Sequence, residues 1–557
     1  NKKFQFNYKN YSNRHQVEKY VDFINDSISS NYPAGNLNNY FTKTQKNKTS
    51  RLIGINPGAS YGNAKRWYPE EFAKVAKALS NNYDILIFGS KEESDIAKEI
   101  EKNLINIGVD KGDRIAIWAP NMNEWVLAAI GAQKAGGVIV PINTRMKGKE
   151  AAYILNNSQA RILFSVSQFL DLNYFNLLSN EELPYLEHQI ALDDSAVEGI
   201  SSFSSLLDSI KSIDLPIVKG EDLADIIFTS GTTGKPKGVM STHAQNIQVF
   251  DYWSKYIGLN QNDNYLIVNP FFHTFGYKAG WLASVMRGAT AYPCAVFDAD
   301  RIISMIHEKK ISMLPGPPTL YQSILTSDKL GHVDISSLRL GVTGAASIPI
   351  QLIKDMKEQL GFETIITAYG LTESTGVVTM CTPEDDYETI ATTSGCAIAG
   401  VEVKCVDEDG ETVVAGSPGE ILVRGFNVTR GYFNNPEATS EAIDEDGWLH
   451  TGDIGILDAR GYIKITDRSK DMFIVGGFNA YPAEIENILC DHPAISQAAV
   501  IGIDDERMGE VAKAFIILKP GESLSTETLL PWCKENMANY KVPRDIEFVK
   551  DLPTNAA

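Results

Sequence analysis

The sequence predicts an α/β fold with more than one domain. Short apolar runs, with the length of buried strands, alternate with amphipathic stretches of helical period, which is typical of a parallel sheet covered by helices. The length indicates several domains, because 557 residues exceed what one hydrophobic core organises. Between residues 396 and 465 short strands and turns dominate, so we expect a small β-rich subdomain there.

The first hundred residues predict the start of a separate parallel sheet. Strands over Leu52–Ile55 and Tyr83–Phe88 alternate with amphipathic helices over Pro69–Leu79 and Glu92–Leu104. Residues 1–50 are rich in Asn, Lys, Tyr and Ser and have little periodicity.

From residue 107 to about 467 the same alternation predicts a larger α/β body, and a small α+β unit follows Lys470. The elements predicted for the body include the helix Trp125–Lys134 and the strands Arg114–Trp118, Gly137–Pro141, Arg161–Phe164, Val401–Asp407 and Gly419–Arg424. The elements predicted for the last unit are the helices Pro482–Leu489 and Thr526–Met537 and the strands Ala498–Ile503 and Ala512–Leu518.

Composition argues against several classes of protein. The formal net charge of -19 argues against nucleic acid, and against anionic membranes held by charge alone. The six cysteines include no Cys-x-x-Cys pair, so we expect neither a disulfide scaffold nor a zinc site, and reduced cytosol fits. The apolar stretch Val126–Ile142 is interrupted by Gln133 and Lys134, and no signal peptide is recognisable. We therefore expect a cytoplasmic protein whose partners are small molecules.

The most informative segment is the loop Thr229-Ser-Gly-Thr-Thr-Gly-Lys-Pro-Lys-Gly238, which follows the apolar run 225–228 and precedes a capped helix start at 241–248. A glycine-rich loop between a strand and a helix can aim N–H groups and hydroxyls at a phosphate chain, and its two lysines add positive charge. It is not a Walker A motif, because Pro236 follows Lys235. The alternative is a solvated Gly/Ser/Thr linker.

Further segments follow this loop in order: Phe271-Phe-His-Thr-Phe-Gly276, Thr343-Gly-Ala-Ala346, Ala368-Tyr-Gly-Leu-Thr-Glu373, Thr451-Gly-Asp453 and Asp467-Arg-Ser-Lys-Asp-Met-Phe-Ile-Val-Gly-Gly477. Together they resemble the motifs of the adenylate-forming enzymes, which include acyl-CoA synthetases, luciferases and the adenylation domains of peptide synthetases. The resemblance runs from about Ile107 to Ala557. It implies the adenylate-forming fold, with an AMP-binding domain over 105–469 and a C-terminal lid over 470–557 that rotates between two half-reactions.

The resemblance implies an acyl-CoA ligase. In that reaction a carboxylate attacks the α-phosphate of ATP, pyrophosphate leaves, and CoA then takes the acyl group from the adenylate. ATP and CoA are the implied cosubstrates, and Mg²⁺ is the implied metal. Because two anions must meet, such a site needs cations and hydrogen-bond donors aimed at the phosphates. Magnesium binds few carboxylates and keeps several waters, so a single Glu on a nucleotide-bound ion is suitable.

The resemblance also assigns roles to individual residues. The β- and γ-phosphates are assigned to Thr229, Ser230, Gly231, Thr232, Thr233, Gly234, Lys235 and Lys237. Adenine is assigned to Gly344, Ala345, Ala346 and the ring of Tyr369, and ribose to Asp453 assisted by Arg468. The α-phosphate is assigned to Thr372, Mg²⁺ to Glu373, the hinge to Lys470, and the CoA channel to Gly476 and Gly477.

His273 is implied to line the acyl pocket, where we favour a gate over proton transfer. Without the motif context, ordinary interpretations would apply. His273 and Tyr369 would then be packed core residues, Glu373 a surface carboxylate and Asp453 a turn residue.

The substrate is less closely defined. Segments 269–281, 314–321 and 424–432 are similar to ligases of bacterial steroid-ring degradation, which activate a propanoate side chain on an indane dione. The aromatic and small residues of these motifs would suit a bulky alicyclic acid, a medium-chain fatty acid or an aryl acid; they are Phe272, Tyr277, Trp281 and Gly344.

A second resemblance covers about residues 50–104. Segments 56–67 and 88–90 resemble the nucleotide-sugar-binding half of the lipopolysaccharide heptosyltransferases, which places Lys65 near the donor phosphates; a solvated basic turn is the alternative for Lys65. Residues 1–104 then form a partial Rossmann-like fragment that replaces the first block of the ligase, with a junction near 103–107. No polar linker stands there, so we expect a chimeric chain without glycosyl transfer.

The end of the sequence carries a further expectation. The lid of the family closes with a Pro-Thr-Asn-Ala-Ala-Gly-Lys type motif whose lysine reaches the α-phosphate, and this sequence stops at Ala557 within it. We therefore expect impaired adenylation with a better preserved thioester step, and Lys541 and Lys550 as solvated surface lysines. The alternatives are a non-functional or partly folded chimera, a sugar transferase, and an adenylation domain that feeds a carrier protein. A homodimer stays open.

Overall fold

A computed structural model of the chain describes residues 52–55, 84–87 and 91–550, apart from 196, 208–214, 230–234, 345–347, 469–472 and 520. Contacts divide the chain into two units, Asn1–Ile100 and Glu101–Ala557.

The described part of the first unit begins with two strands, β1 (Leu52–Ile55) and β2 (Asp84–Ile87), which pair in parallel as predicted. The predicted helix Pro69–Leu79 lies outside the described residues. Helix α1 (Lys91–Asn106) spans the division between the units and includes the predicted helix 92–104.

The second unit opens with an α/β layer. Its elements are β3 (Arg114–Trp118), α2 (Asn123–Lys134), β4 (Val138–Pro141), α3 (Gly148–Ser158), β5 (Ile162–Ser165), β6 (Gln168–Phe169), β7 (Leu172–Asn173), α4 (Tyr174–Leu178), β8 (His188–Ala191), β9 (Ser201–Ser202), β10 (Leu223–Thr229), β11 (Lys237–Thr242) and α5 (His243–Tyr256). Seven of these strands form one sheet in the order β11-β10-β4-β3-β5-β8-β9, and only β10 with β11 is antiparallel.

The sequence of this sheet explains its burial. Strands β4 and β5 read Val-Ile-Val-Pro and Ile-Leu-Phe-Ser, and every residue in them is buried. Continuous apolar runs of this kind suit strands that are covered on both faces, as parallel sheets are. The predicted strand Arg114–Trp118 is confirmed to the residue, and its neighbours differ by about one residue at their ends.

A second layer follows along the chain. Its elements are β12 (Asn264–Ile267), a π-helix (Phe275–Leu282), α6 (Ala283–Arg287), β13 (Thr290–Pro293), α7 (Ala299–Lys309), α8 (Pro318–Leu325), β14 (Leu340–Thr343), α9 (Ile350–Glu358), β15 (Thr364–Tyr369), β16 (Thr379–Met380), α10 (Tyr387–Thr392) and β17 (Cys396–Ala397). Strand β12 pairs in parallel with β13, as does β14 with β15, and Met313 bridges the two pairs through Tyr265 and Leu340. The carboxyl ends of these strands therefore share one edge, where α/β proteins bind ligands.

The predicted β-rich subdomain is confirmed. It consists of β18 (Val401–Val406), β19 (Pro418–Gly425), α11 (Pro436–Ala442), β20 (Leu449–Leu457) and β21 (Ile463–Arg468). The four strands pair with their sequence neighbours in antiparallel order, which is the arrangement that short connections permit.

The last part of the chain is a small α+β layer. It contains β22 (Phe473–Val475), β23 (Phe478–Ala480), α12 (Pro482–Cys490), β24 (Ile495–Asp505), β25 (Gly509–Leu518), α13 (Thr526–Asn536) and β26 (Asp545–Phe548). Both predicted helices and both predicted strands are present. Ile485 and Leu489 of α12 and Leu529 of α13 pack on Val500 and Ala514 of the sheet, all nearly inaccessible to solvent.

Two negative expectations can be compared with the described residues. No helix among them is both long enough and apolar enough to cross a bilayer. All six cysteines of the chain are free thiols, and four of them are buried.

The interpretation of Lys541 as a solvated surface lysine is wrong. Its side chain is 0% exposed, and its Nζ lies 2.7 Å from a carboxylate oxygen of Glu150 on α3 and 2.7 Å from one of Glu484 on α12. Burial alone would lower the pKa of Lys541, but the two carboxylates raise it well above its ordinary value. Lys550, in contrast, is exposed as expected. The lysine therefore ties the C-terminal layer to the α/β body.

We predict that Lys541→Met lowers the free energy of unfolding by about 3–5 kcal/mol, because it leaves two buried carboxylates without their cation. Lys550→Met is the matched control, since it changes an exposed lysine nine residues later and should alter stability by less than about 0.5 kcal/mol. Urea unfolding followed by circular dichroism measures both. Equal effects of the two substitutions would contradict the structural role of Lys541.

Candidate functional site

The glycine-rich loop joins two strands rather than a strand and a helix, which corrects the predicted arrangement. Thr229 ends β10, Lys237 begins β11, and the two are paired across the hairpin. The predicted helix start is confirmed after β11, where Thr242 caps α5 and forms a capping box with Gln245. The antiparallel pairing holds Thr229 and Lys237, which flank the loop, next to each other in the body sheet.

Part of this loop lies outside the described residues, namely Ser230, Gly231, Thr232, Thr233 and Gly234. At its described end Lys235 is exposed, and Nζ of Lys237 lies 5.3 Å from the centre of the Tyr432 ring. A lysine over an aromatic face keeps its charge near the loop at a small energetic gain.

Glu373 is the point at which three distant segments meet. Its Oε1 accepts hydrogen bonds from Oγ1 of Thr229, at 3.1 Å, and from the hydroxyl of Tyr432, at 3.0 Å. Burial, reinforced by the Glu373 carboxylate, raises the pKa of Tyr432, so that its hydroxyl remains a donor. Thr372 and Glu373 lie in a 3₁₀ turn. Glu373 is thus held beside the end of the glycine-rich loop.

Tyr369 and Asp453 also come together. The Tyr369 hydroxyl donates to Oδ2 of Asp453 at 2.6 Å, and Asp453 is buried with 6% exposure. The backbone N–H of Asp453 donates to Oγ1 of Thr451, and its backbone is paired with Arg468 across β20 and β21. The side chain of Arg468 lies outside the described residues. The structure therefore places the residues predicted for adenine and ribose in contact.

Gly344 lies at the same sheet edge as Tyr369, because β14 and β15 are parallel neighbours. Its φ is +156°, and a Cβ at this position would lie 3.1 Å from the carbonyl oxygen of Ala368. Such a close approach favours glycine. The next two predicted residues, Ala345 and Ala346, lie outside the described part of the chain.

His273 is accessible to solvent in a tight turn rather than packed in the core. Its Nδ1 accepts a hydrogen bond from the backbone N–H of Phe275 at 3.2 Å. The surrounding protein desolvates the imidazole and lowers its pKa, which favours the neutral ring with a proton on Nε2. A neutral, accessible ring fits a gate better than a charged group.

Asn121, which the sequence interpretation missed, holds the turn that carries His273. Its Nδ2 donates to the carbonyl oxygens of Ile267 and Asn269, and its Oδ1 accepts from the N–H of Phe271 at 2.8 Å. Asn121 is buried, so these bonds satisfy groups that water cannot reach. The available signal was its position shortly after the buried strand β3, where α/β proteins place functional polar residues.

The His273 turn also touches the segment of Glu373. Gly376 has a φ of +100°, and a Cβ there would lie 2.4 Å from Cγ2 of Thr274. Only a glycine allows this separation without displacing Thr274. The segment of His273 and the segment of Glu373 are therefore in direct contact.

Tyr277 and Trp281 belong to the core, which corrects the expectation that they shape the acyl pocket. Their rings stack with centroids 4.9 Å apart, and both pack on Trp125 of α2. They are 1% and 2% exposed, so they leave no surface for an acid. Phe272, in contrast, is half-buried beside His273.

Gly476 and Gly477 form the tight turn between β22 and β23, with φ of +56° and +87°. A Cβ on Gly477 would lie 3.5 Å from Cγ of Pro317, so the turn faces the start of α8 in the body. Next to it the Phe478 ring stacks on Tyr540 at 4.9 Å. Lys470 lies outside the described residues.

The donors around Glu373 fit Mg²⁺. One half-buried carboxylate with neighbouring hydroxyls supplies hard oxygen atoms and leaves most positions to phosphate and water, which is the usual pattern for a nucleotide-bound magnesium ion. The described residues contain no group of three or more His, Cys, Asp or Glu side chains that could hold an ion alone. Among the described residues, Glu373 would therefore hold this ion together with the nucleotide.

Three family models match the chain. The AMP-binding enzyme model matches residues 94–433, and the model of the C-terminal domain of these enzymes matches 484–557. The glycosyltransferase family 9 (heptosyltransferase) model matches residues 3–111, so the second resemblance is confirmed over a longer segment than predicted.

Similar proteins agree with the first two models. A methyl-dioxo-octahydroindenyl-propanoyl:CoA ligase of Rhodococcus jostii is 45% identical over 83% of this chain and 90% of its own length. The ligase of the same name from Mycobacterium tuberculosis is 43% identical over 89% of this chain and 97% of its own. A double mutant of the o-succinylbenzoate CoA synthetase of Bacillus subtilis, bound to a product analogue, superposes with a TM-score of 0.72 at 29% identity and covers 84% and 90% of the two chains. The chain therefore belongs to the family of AMP-binding enzymes and stands among its acyl-CoA ligases.

Proposed function

We propose that this chain joins a carboxylic acid to CoA at the expense of ATP, through an acyl-adenylate. The observation that carries the proposal is the Glu373 carboxylate, which binds Thr229 at the end of the glycine-rich loop and Tyr432 from the β-rich subdomain. A carboxylate beside a glycine-rich loop with two lysines is suited to a metal-bound phosphate chain. The Glu373 arrangement thus supports nucleotide chemistry at this sheet edge.

In the adenylation step the residues of this chain would orient the carboxylate and ATP and would neutralise the charge of the phosphates. The loop 229–238 would hold the β- and γ-phosphates, with Lys235 and Lys237 offsetting their charge, and Thr372 would donate to the α-phosphate. Mg²⁺, when bound at Glu373, would polarise the phosphoryl oxygens. Holding two anions at attack distance is the main contribution that such a site makes.

The adenosine half would lie between Gly344–Ala346 and Tyr369, with Asp453 accepting from both ribose hydroxyls and Arg468 assisting. The Tyr369 hydroxyl already fixes one oxygen of Asp453 at 2.6 Å, which supports a preorganised acceptor. We assign the AMP-binding domain to 105–469 and the lid to 470–557, with Lys470 as the hinge. Gly476 and Gly477 would admit the pantetheine arm of CoA beside Pro317, which lies close to them.

For the acid we propose a bulky alicyclic propanoate, with a medium-chain acid as the second choice. The names of the two bacterial relatives give a fused-ring propanoyl group, and their similarity covers more than four fifths of this chain. His273 would act as the gate of the pocket. The comparisons do not favour the non-functional chimera.

Two expectations from the sequence stay proposals. We propose that residues 1–104 transfer no sugar. A homodimer is the second, and light scattering would test it.

We predict that a fused-ring or cyclohexyl propanoic acid releases pyrophosphate faster than octanoic, benzoic or amino acids do. The physical reason is that an alicyclic acid of matching shape fills the pocket without unpaired polar groups. ATP–pyrophosphate exchange over this panel, followed by mass detection of the acyl-CoA, is the measurement. Activation of amino acids alone, with no effect of CoA, would reject the ligase.

We predict that Glu373→Gln reduces adenylation about 10²-fold, the usual cost of losing one preorganised electrostatic group. It should also weaken the dependence of ATP affinity on Mg²⁺, which calorimetry measures without turnover. Glu388→Gln is the matched control. Glu388 is exposed on α10, so this substitution makes the same chemical change away from the site. A change smaller than about threefold for Glu373→Gln would remove the metal role.

We predict that Asp453→Asn weakens ATP binding about tenfold or more, because the ribose hydroxyls lose a charged acceptor. Tyr369→Phe keeps the ring and removes the hydroxyl that donates to Asp453, so a loss of about fivefold is expected. Calorimetry with ATP and with adenine alone separates the two residues. If adenine binding is unaffected by Tyr369→Ala, the ring does not stack on the base.

A further inference from the structure

Lys278 is a buried cation that the proposed chemistry does not use. It lies in the π-helix, five residues after His273, and its side chain is 0% exposed. Its Nζ lies 3.0 Å from Oδ1 of Asp225, which is also fully buried. A lysine sealed in this way must be held by specific partners, since burying an ion is expensive.

The partners of Lys278 are the two sides of the phosphate-loop hairpin. Asp225 on β10 and Ser241 on β11 are cross-strand neighbours, and the Lys278 Nζ also lies 3.0 Å from Oγ of Ser241. From this pair the strands run on to Thr229 and Lys237, which flank the loop. The Lys278 ammonium group therefore contacts both strands of the hairpin, at Asp225 and Ser241. The loop at the other end of this hairpin is the one proposed to hold the phosphates.

A third element supports the same carboxylate. The side-chain amide of Asn246 on α5 donates to Oδ2 of Asp225 at 2.5 Å. Asp225 is thus tied to the π-helix by one oxygen and to α5 by the other. These polar contacts connect β10 to the His273 segment, and they are more selective in geometry than apolar packing.

The π-helix is the second observation. Such turns are rare and are frequently found at functional sites. Here the wide turn begins two residues after His273 and buries Tyr277, Lys278 and Trp281 together. The backbone that carries the candidate acyl gate is therefore locked to Lys278 within one turn of helix.

We infer that Lys278 and Asp225 form a positioning pair that fixes the spacing between the acyl subsite at His273 and the phosphate subsite at Thr229. The inference rests on the proposed function, because it needs an acid and a nucleotide to be held side by side. A buried ion pair contributes little to stability compared with apolar residues of the same size. Its value at this place lies in the fixed geometry between two subsites.

The test uses a ligand that spans both subsites and needs no turnover. The probe is the sulfamoyl adenosine of cyclohexanepropanoic acid, a stable mimic of the acyl-adenylate, and AMP reports the nucleotide subsite alone. The variant is Lys278→Met combined with Asp225→Asn, which removes both charges and keeps an acceptor for Asn246. We expect the melting temperature and AMP affinity to be preserved and the affinity for the spanning probe to fall at least tenfold.

Arg339→Met is the control for stability loss alone. Arg339 pairs with the buried Asp263 just before β14 and β12, at the amino ends of the strands and away from the site. It should lower the melting temperature and leave the affinity for the spanning probe unchanged. This control separates a general weakening of the fold from a change in spacing.

Three outcomes of this experiment would contradict the positioning role or the proposed function. Unchanged affinity of the double variant for the spanning probe overturns the positioning role while leaving the ligase proposal intact. Equal losses for AMP and for the spanning probe also overturn it, because a general distortion would then explain the effect. If the wild-type chain binds neither compound, the proposed function itself fails.

Discussion

A single carboxylate organises the candidate site. Glu373 accepts hydrogen bonds from Thr229 and from Tyr432, residues that are 144 and 59 positions away along the chain. The body sheet, the second layer and the β-rich subdomain must therefore keep a fixed arrangement for this contact to form. Because a half-buried carboxylate needs donors or a cation, its placement constrains all three elements at once. The two donors to Glu373 lie where strands end: Thr229 is the last residue of β10, and Tyr432 follows the end of β19.

The fold was largely predictable because the hydrophobic pattern of each segment agrees with the burial of its residues in the structure. Continuous apolar runs such as Val138–Pro141 became fully buried strands, and the turn-rich stretch 396–465 became an antiparallel sheet. The hairpin after Thr229 was not predicted, because 229–238 was taken as a loop and 241–248 as a helix start, and the strand Lys237–Thr242 overlaps both. The π-helix was missed because its residues carry no periodic signal that differs from an ordinary helix. Local pattern gives the type of element, and long-range pairing decides its boundaries.

The candidate site was predictable only where motifs named it. The contact between Tyr369 and Asp453 joins two segments that a motif reading assigns to one nucleoside, and the structure brings them within 2.6 Å. Asn121 lies in no motif, and Tyr432 was given no role although it ends segment 424–432. Each makes a bond on which the site depends. Their roles come from partners far away in sequence, which one sequence does not reveal. The aromatic residues Tyr277 and Trp281 show the opposite error, since a suitable residue type in a suitable segment turned out to be core.

The buried lysines show why charge cannot be read from composition alone. Lys541 and Lys278 each occupy a position with no solvent exposure, and each is held by carboxylates from other elements. Apolar residues would fill such positions at lower cost in desolvation, so packing alone does not account for them. An ion pair also fixes the relative position of its partners. Its stabilising interaction weakens when the two charged groups move apart, whereas apolar contacts change little when the surfaces slide. Lys541 stands between the C-terminal layer and the body, and Lys278 between the hairpin and the His273 segment. In the proposed reaction the Lys278 pair would hold two subsites at a fixed spacing, and Lys541 would hold the C-terminal layer in the arrangement that the structure describes.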